Sequence, residues 1–156
     1  MKKKLRIYVD TSVIGGCFDD EFKKWSIQLM KEFKIGLHIP VISELTQAEI
    51  SKAPHEVQEI LIELIDDVGC DIILEMEESV ELADKYIKAG ILSGNFEDDA
   101  RHIAVASVNN VDILVSWNFK HIVHFDKIRQ FNSVNMREGY KQIEIFSPRE
   151  VVNYEI

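Results

Sequence analysis

The chain has 156 residues, 46% of them hydrophobic, and a formal net charge of −9. That length suits one domain, residues 1–156, with a real core; no apolar run approaches the roughly 20 residues that cross a bilayer, and Leu5–Val9, behind the basic Lys2–Lys4, is too short for a signal-peptide core and contains Arg6, so a cytoplasmic protein with no membrane partner is expected. The acidic balance argues against a non-specific nucleic-acid coat while leaving room for carboxylates neutralised by metal or for a basic partner, and Cys17 and Cys70 form neither a C-x-x-C motif nor a zinc pattern.

In chain order, residues 5–10 read as a buried strand that stops at Asp10. Phe22, Trp25, Leu29 and Phe33 recur at spacings of three and four and predict an amphipathic helix over 20–34, stopped by Gly36. Residues 37–42 form a second strand, and Ser43 caps the helix that follows. A helix near 55–67 carries Val57, Ile60, Leu61, Leu64 and Ile65 on one face and ends at Gly69. Residues 71–75 make a third strand, 77–89 and 97–109 two helices separated by the Gly90–Asn95 region, and 112–116 a fourth strand. A less regular helical stretch covers much of 119–139, and 143–146 is the last strand. Ser147-Pro148-Arg149-Glu150 is a capping box with proline in the first helical position. The alternation predicts an α/β fold, with a mostly parallel sheet covered on both faces.

In such a sheet, ligands bind outside the carboxyl ends of the strands. Asp10 sits there, with Thr11 and Ser12 behind it. Burying it unpaired would be costly, so it either serves a metal or catalytic site or caps the following turn. Glu44, in the first turn of its helix, complements the helix dipole. Glu49, one turn after Leu45 and beside Ile50, lies at the edge of the apolar face and is the stronger functional candidate. Asp99 aligns with Ile103 and Ala106 and borders the strip Ala100, Ala104, Ser107; Asp98 shares a face with Arg101, His102 and Val105. Asp99 is therefore the preferred ligand and Asp98 a cap or supporting group. Asn118 and Ser116 can hold or position a metal-bound water. Oxygen ligands from several distant segments point to a hard divalent cation and chemistry on phosphate. Histidines are weak signals here: His121 and His124 read as surface or groove residues, and Lys120, His121, Lys127 and Arg129 form a local basic patch, solvated or in contact with phosphate.

Over nearly its whole length the chain resembles the PIN-domain family, and in particular the small VapC-type toxin ribonucleases. Tyr8-Val9-Asp10-Thr11-Ser12-Val13-Ile14 resembles the first family motif and Ser43 with Glu49-Ile50 the second. Asp99-Ala100 with Ala104 and Ala106 resembles the third, and Leu114-Val115-Ser116-Trp117-Asn118-Phe119 the fourth. The resemblance implies a three-layer α/β/α sandwich around a roughly five-stranded sheet, and Mg²⁺- or Mn²⁺-dependent endonucleolytic cleavage of RNA. Asp10, Glu49 and Asp99 would take the acidic metal positions. Ser12 corresponds to a hydroxyl often kept near the metal, and Asn118 falls where many members carry a fourth aspartate. A small antitoxin and a second copy of the chain are the implied partners, with Lys120 and His121 as candidate RNA contacts and the helix near 55–67 as a candidate dimer face.

Two other readings compete. A PIN-like binding or interaction module with weak catalysis is motivated by Asn118 and the negative charge. An aspartyl phosphotransferase with Asp10 as nucleophile lacks the second acid of an Asp-x-Asp pair, because position 12 is serine; a response regulator fares worse, because the third strand runs into Leu74-Glu75-Met76.

Overall fold

Alternation along Leu5–Val9 (β1) sends Ile7 and Val9 to one face and Tyr8 to the other, and all three are fully buried in the computed structural model, which describes residues 3–155. Lys2 of the basic start lies outside the described residues. Burial on both faces is what a central parallel strand requires.

The described residues form β1, α1 (Thr11–Gly15), α2 (Lys23–Lys34), β2 (His38–Ser43), α3 (Glu44–Ile50), α4 (His55–Glu63), β3 (Asp71–Ile73), α5 (Glu77–Lys88), α6 (Glu97–Val108), β4 (Ile113–Val115), α7 (Phe125–Arg137), β5 (Glu144–Phe146) and α8 (Pro148–Val151). All strand pairs are parallel, in the order β3-β2-β1-β4-β5. One core packs Tyr8, Val41 and Leu114 against α5, α6 and α7; the other packs Ile7, Val9, Ile42 and Val115 against α1, α2 and α4. The expected three-layer α/β/α sandwich is therefore the fold. No helix among the described residues is long and apolar enough to cross a membrane.

Several boundaries differ from the sequence reading for identifiable reasons. The helix expected over 20–34 begins at Lys23, because the Asp19 carboxylate accepts the Glu21 amide at 2.8 Å and holds a turn there. Helix α4 widens into a π turn over Leu64–Val68 before Gly69, at φ +81°, ends it. β3 stops at Ile73, and Glu75 is drawn off the strand: its amide donates to Glu44 at 2.7 Å and its carboxylate grips Arg101. Residues 119–124 are turn rather than helix, wound around Asn118.

A fully buried carboxylate closes the end of the sheet opposite Asp10. Glu32 on α2 accepts from Gln28 Nε2 at 3.2 Å, His38 Nε2 at 3.0 Å and the Asn153 amide at 2.9 Å. It thereby ties α2, β2 and the segment after α8 together.

Gly16 stands where the second core leaves no room for a side chain. A Cβ there would stand 2.6 Å from Ser26 Oγ and 2.8 Å from Trp117 Nε1, two atoms that hydrogen-bond to each other at 2.8 Å. Gly16→Ala is expected to cost about 1–3 kcal/mol through overpacking. Thermal denaturation that leaves Tm unchanged would show that the Ser26–Trp117 contact yields freely.

Candidate active site

The strand order reverses at β1: the chain adds β2 and β3 on one side, then β4 and β5 on the other. The crevice at this switch point, beyond the carboxyl ends of β1 and β4, is where open α/β sheets bind ligands. Val9 pairs with Val115, so the register sets Asp10 beside Ser116.

Asp10 is 5% exposed. Oδ1 accepts from Ser12 Oγ at 2.6 Å and from the Val13 amide at 3.3 Å, and Oδ2 accepts from Ser116 Oγ at 2.6 Å. The carboxylate is thus the N-cap of α1 as well as the floor of the crevice. Both serine hydroxyls are themselves fixed, Ser12 Oγ by the Trp117 amide at 2.9 Å and Ser116 Oγ by the Asn118 amide at 3.0 Å. Burial pushes the Asp10 pKa above the ordinary carboxylate value, against the opposing pull of His102, the two serines and the Val13 amide.

Glu49 reaches the crevice from α3, whose start is fixed by Ser43: its Oγ accepts the Leu45 amide at 3.2 Å and the Thr46 amide at 3.5 Å. Half-exposed Glu49 receives a short hydrogen bond from His102 Nε2. Burial works to raise its pKa, but His102, the nearby Thr11 hydroxyl and Arg101 outweigh it and hold the group low, so Glu49 is ionised at neutral pH. Thr11 Oγ1 lies by this carboxylate outside hydrogen-bonding geometry and is buried without a partner.

Asp99 occupies the first turn of α6, where a carboxylate complements the helix dipole. Its Oδ2 accepts from Asn118 Nδ2 at 3.3 Å and from His121 Nδ1 at 3.0 Å. Asn118 also builds the turn that delivers His121: its Oδ1 accepts the His121 amide at 2.9 Å, and its main-chain oxygen accepts the amides of Ile122 and Val123. Phe96 packs against His121 with the rings tilted by 41° and their centroids 3.9 Å apart.

The structure therefore gathers Asp10, Ser12 and Ser116 in one hydrogen-bonded group, and Asp99, Asn118 and His121 in another, with Glu49 held by His102. Asp98 is not brought in: its side chain is 74% exposed and pairs with Arg101 at 3.4 Å. Lys120 is exposed at the rim. Sequence reasoning missed His102, which is 3% exposed and feels the charges of Asp10, Glu49 and Asp99 together. Burial lowers its pKa, and those three carboxylates override burial and hold it above the ordinary histidine value. Two signals pointed to it: a lone imidazole heading the small apolar run Ile103–Ala106, and Tyr8, whose hydroxyl in a buried strand needs a partner.

Among the described residues, no three His, Cys, Asp or Glu side chains stand close enough together to chelate an ion. The polar groups lining the crevice are mostly hard oxygens, and the orphaned Thr11 hydroxyl stands by the Glu49 carboxylate. This set fits Mg²⁺ or Mn²⁺ held by one or two carboxylates with water completing the shell. Asn118→Asp would replace the amide donor facing Asp99 by a like charge. It is expected to lower the Tm of the chelator-treated protein by a few degrees and to regain most of that loss on adding Mn²⁺; a Tm insensitive to both changes would separate Asn118 from the cation site.

No family model matches the chain, and no curated protein matches its sequence. Among solved structures it is similar to a chain of VapBC2 from Rickettsia felis, determined bound to a DNA fragment from their promoter. That match has a TM-score of 0.59 and 15% identity, and covers 92% of this chain and 98% of that chain. At this identity the likeness is one of fold, and it agrees with the α/β/α architecture that the four motifs imply.

Proposed function

We propose that the chain acts as a single PIN-like domain, a divalent-metal-dependent endoribonuclease of the VapC type and the toxin of a toxin–antitoxin pair. The observation that carries this reading is Asp10: a carboxylate buried at the switch point of a parallel sheet, held by two hydroxyls and no lysine or arginine, with Glu49 and Asp99 arriving from two other segments. Asp10 and Asp99 would hold Mg²⁺ or Mn²⁺, and Glu49 would hold the same ion or orient the attacking water as general base. The cation would supply positive charge for activating water and stabilising the phosphate in an in-line displacement. Ser12 and Ser116 keep Asp10 in place, and Asn118 and His121 do the same for Asp99. Lys120 and His121 are the candidate RNA contacts. The net charge of −9 suits a basic antitoxin segment, and α4, with Ile62 half-exposed beyond its buried Val57 and Leu61, is the candidate face for a homodimer.

A second reading, a PIN-like interaction module with weak catalysis, is favoured by one observation: each of the three acids already has hydrogen-bond partners, and no three ligating side chains converge among the described residues. One assay separates the two. Purified protein is incubated with a labelled mixed RNA panel in Mg²⁺, Mn²⁺ or chelator, beside Asp10→Asn. Cutting that needs metal and vanishes in the variant supports the nuclease, whereas uncut RNA with no Mn²⁺ binding supports the module.

A further inference from the structure

The hydrogen-bond chain behind Glu49 runs through the sheet into the helix layer. Ser43 Oγ lies 2.7 Å from Tyr8 OH, Tyr8 OH lies 2.6 Å from His102 Nδ1, and His102 Nε2 meets Glu49 Oε1. Ser43, Tyr8 and His102 are each 3% exposed or less, so no member is free to turn to bulk solvent for a partner. Counting donors fixes the direction of the chain. Ser43 Oγ already accepts the Leu45 and Thr46 amides, which fills its two lone pairs. Its proton therefore goes to Tyr8, the Tyr8 proton goes to His102 Nδ1, and the ring carries its own proton on Nε2, aimed at Glu49. In the reverse direction Ser43 would need a third lone pair and its hydroxyl proton would have no acceptor.

We propose that Ser43, Tyr8 and His102 form a one-way hydrogen-bond relay in which His102 is a positioning residue, its Nε2–H holding Glu49 toward the crevice it shares with Asp10 and Asp99. The relay joins the cap of α3 to the site, so the residue that starts the helix carrying Glu49 also fixes the group that orients it. One oxygen of Glu49 is spent on His102 and the other stays free for a cation or water. A carboxylate supported in this way is a stiffer ligand than a solvated one, and removing such a support typically weakens metal binding by about 10–100-fold.

The proposal deepens the metal reading above, and two measurements on the full chain keep them apart. In the metal-free wild type, at a pH high enough for the imidazole to be singly protonated, ¹⁵N NMR should show His102 carrying that proton on Nε2 and accepting on Nδ1; a neutral ring protonated on Nδ1 overturns the relay whatever the protein does with metal. Mn²⁺ titration followed by electron paramagnetic resonance should then show about 10–100-fold weaker binding in His102→Leu and an intermediate loss in Tyr8→Phe. His102→Gln, which places an amide N–H where Nε2 was, should stay within about threefold of wild type. Equal affinity in His102→Leu and wild type overturns the positioning role. A wild type that binds no Mn²⁺ rejects the metal reading and leaves the NMR result to decide the relay.

Discussion

Asp10→Asn is expected to remove metal-dependent RNA cleavage by on the order of a thousandfold while making the metal-free protein more stable. On the proposed function, the loss follows from taking the central negative charge from a site that would work by placing charge around a phosphate. The gain follows from burial: Asp10 is 5% exposed, and its desolvation outweighs the opposing pull of His102, the two hydroxyls and the Val13 amide. Asparagine keeps the shape, and the Ser12 and Ser116 hydroxyls can turn to accept from its amide. The pH dependence has a definite sign. Because the folded pKa of Asp10 is raised, the folded state binds that proton more tightly than the unfolded chain. Wild-type stability should therefore fall as pH rises from the ordinary carboxylate range through the raised value, and the variant should lack that component. In chelator the Tm advantage of Asp10→Asn should be small in acid and widen toward neutrality, by about 2–4 °C for each kcal/mol at this chain length. Full cleavage by the variant, or a Tm below wild type at neutral pH, would reject the assignment of Asp10. Asp99→Asn should share the loss of cleavage.

Glu32→Ala is expected to be the most damaging single change to the fold, at roughly 3–5 kcal/mol. The side chain is fully enclosed and accepts three hydrogen bonds from three parts of the chain. Truncation leaves His38 without its carboxylate, the Asn153 amide without an acceptor, and a cavity between α2 and β2. A Tm fall of roughly 10 °C should result at this size. Glu32→Gln retains the shape and one acceptor oxygen and should fall less. Denaturant midpoints for Glu32→Ala within experimental error of wild type would mean that water replaces the carboxylate at no cost.

The fold was legible because strand and helix periods differ so clearly here. Apolar runs at 5–9 and 112–116, separated by helices with apolar residues at three- and four-residue spacing, left a parallel sheet as the natural arrangement. Blurred boundaries were those set by side chains acting on the main chain. Asp19, Glu44 and Asn118 each end or delay an element through one hydrogen bond, a choice that periodicity does not encode. Within the crevice, the candidate acids stood out because a carboxylate at a strand end or on an apolar helix edge demands a partner. The partners did not stand out. His102 and His121 meet Glu49 and Asp99 across 53 and 22 residues of sequence, and only the packed helices and the Asn118 turn create those distances. Asp98 and Asp99 were separable by helical phase alone; the structure turns the first outward to Arg101 and the second inward to Asn118.

The strand order also sets a timetable for synthesis. β1 finds β2 while the chain is still short, but β4, its other neighbour, is made only after the six helices α1 to α6. Asp10 meets Ser116 across 106 residues, and at roughly 5–20 residues per second that separation takes the ribosome about 5–20 s to cover. Throughout that interval Asp10 lacks Ser116, Ser12 lacks the Trp117 amide, and the wall that carries Asn118 and His121 does not exist. A nascent chain released before β4 therefore carries the candidate acids without the assembled crevice.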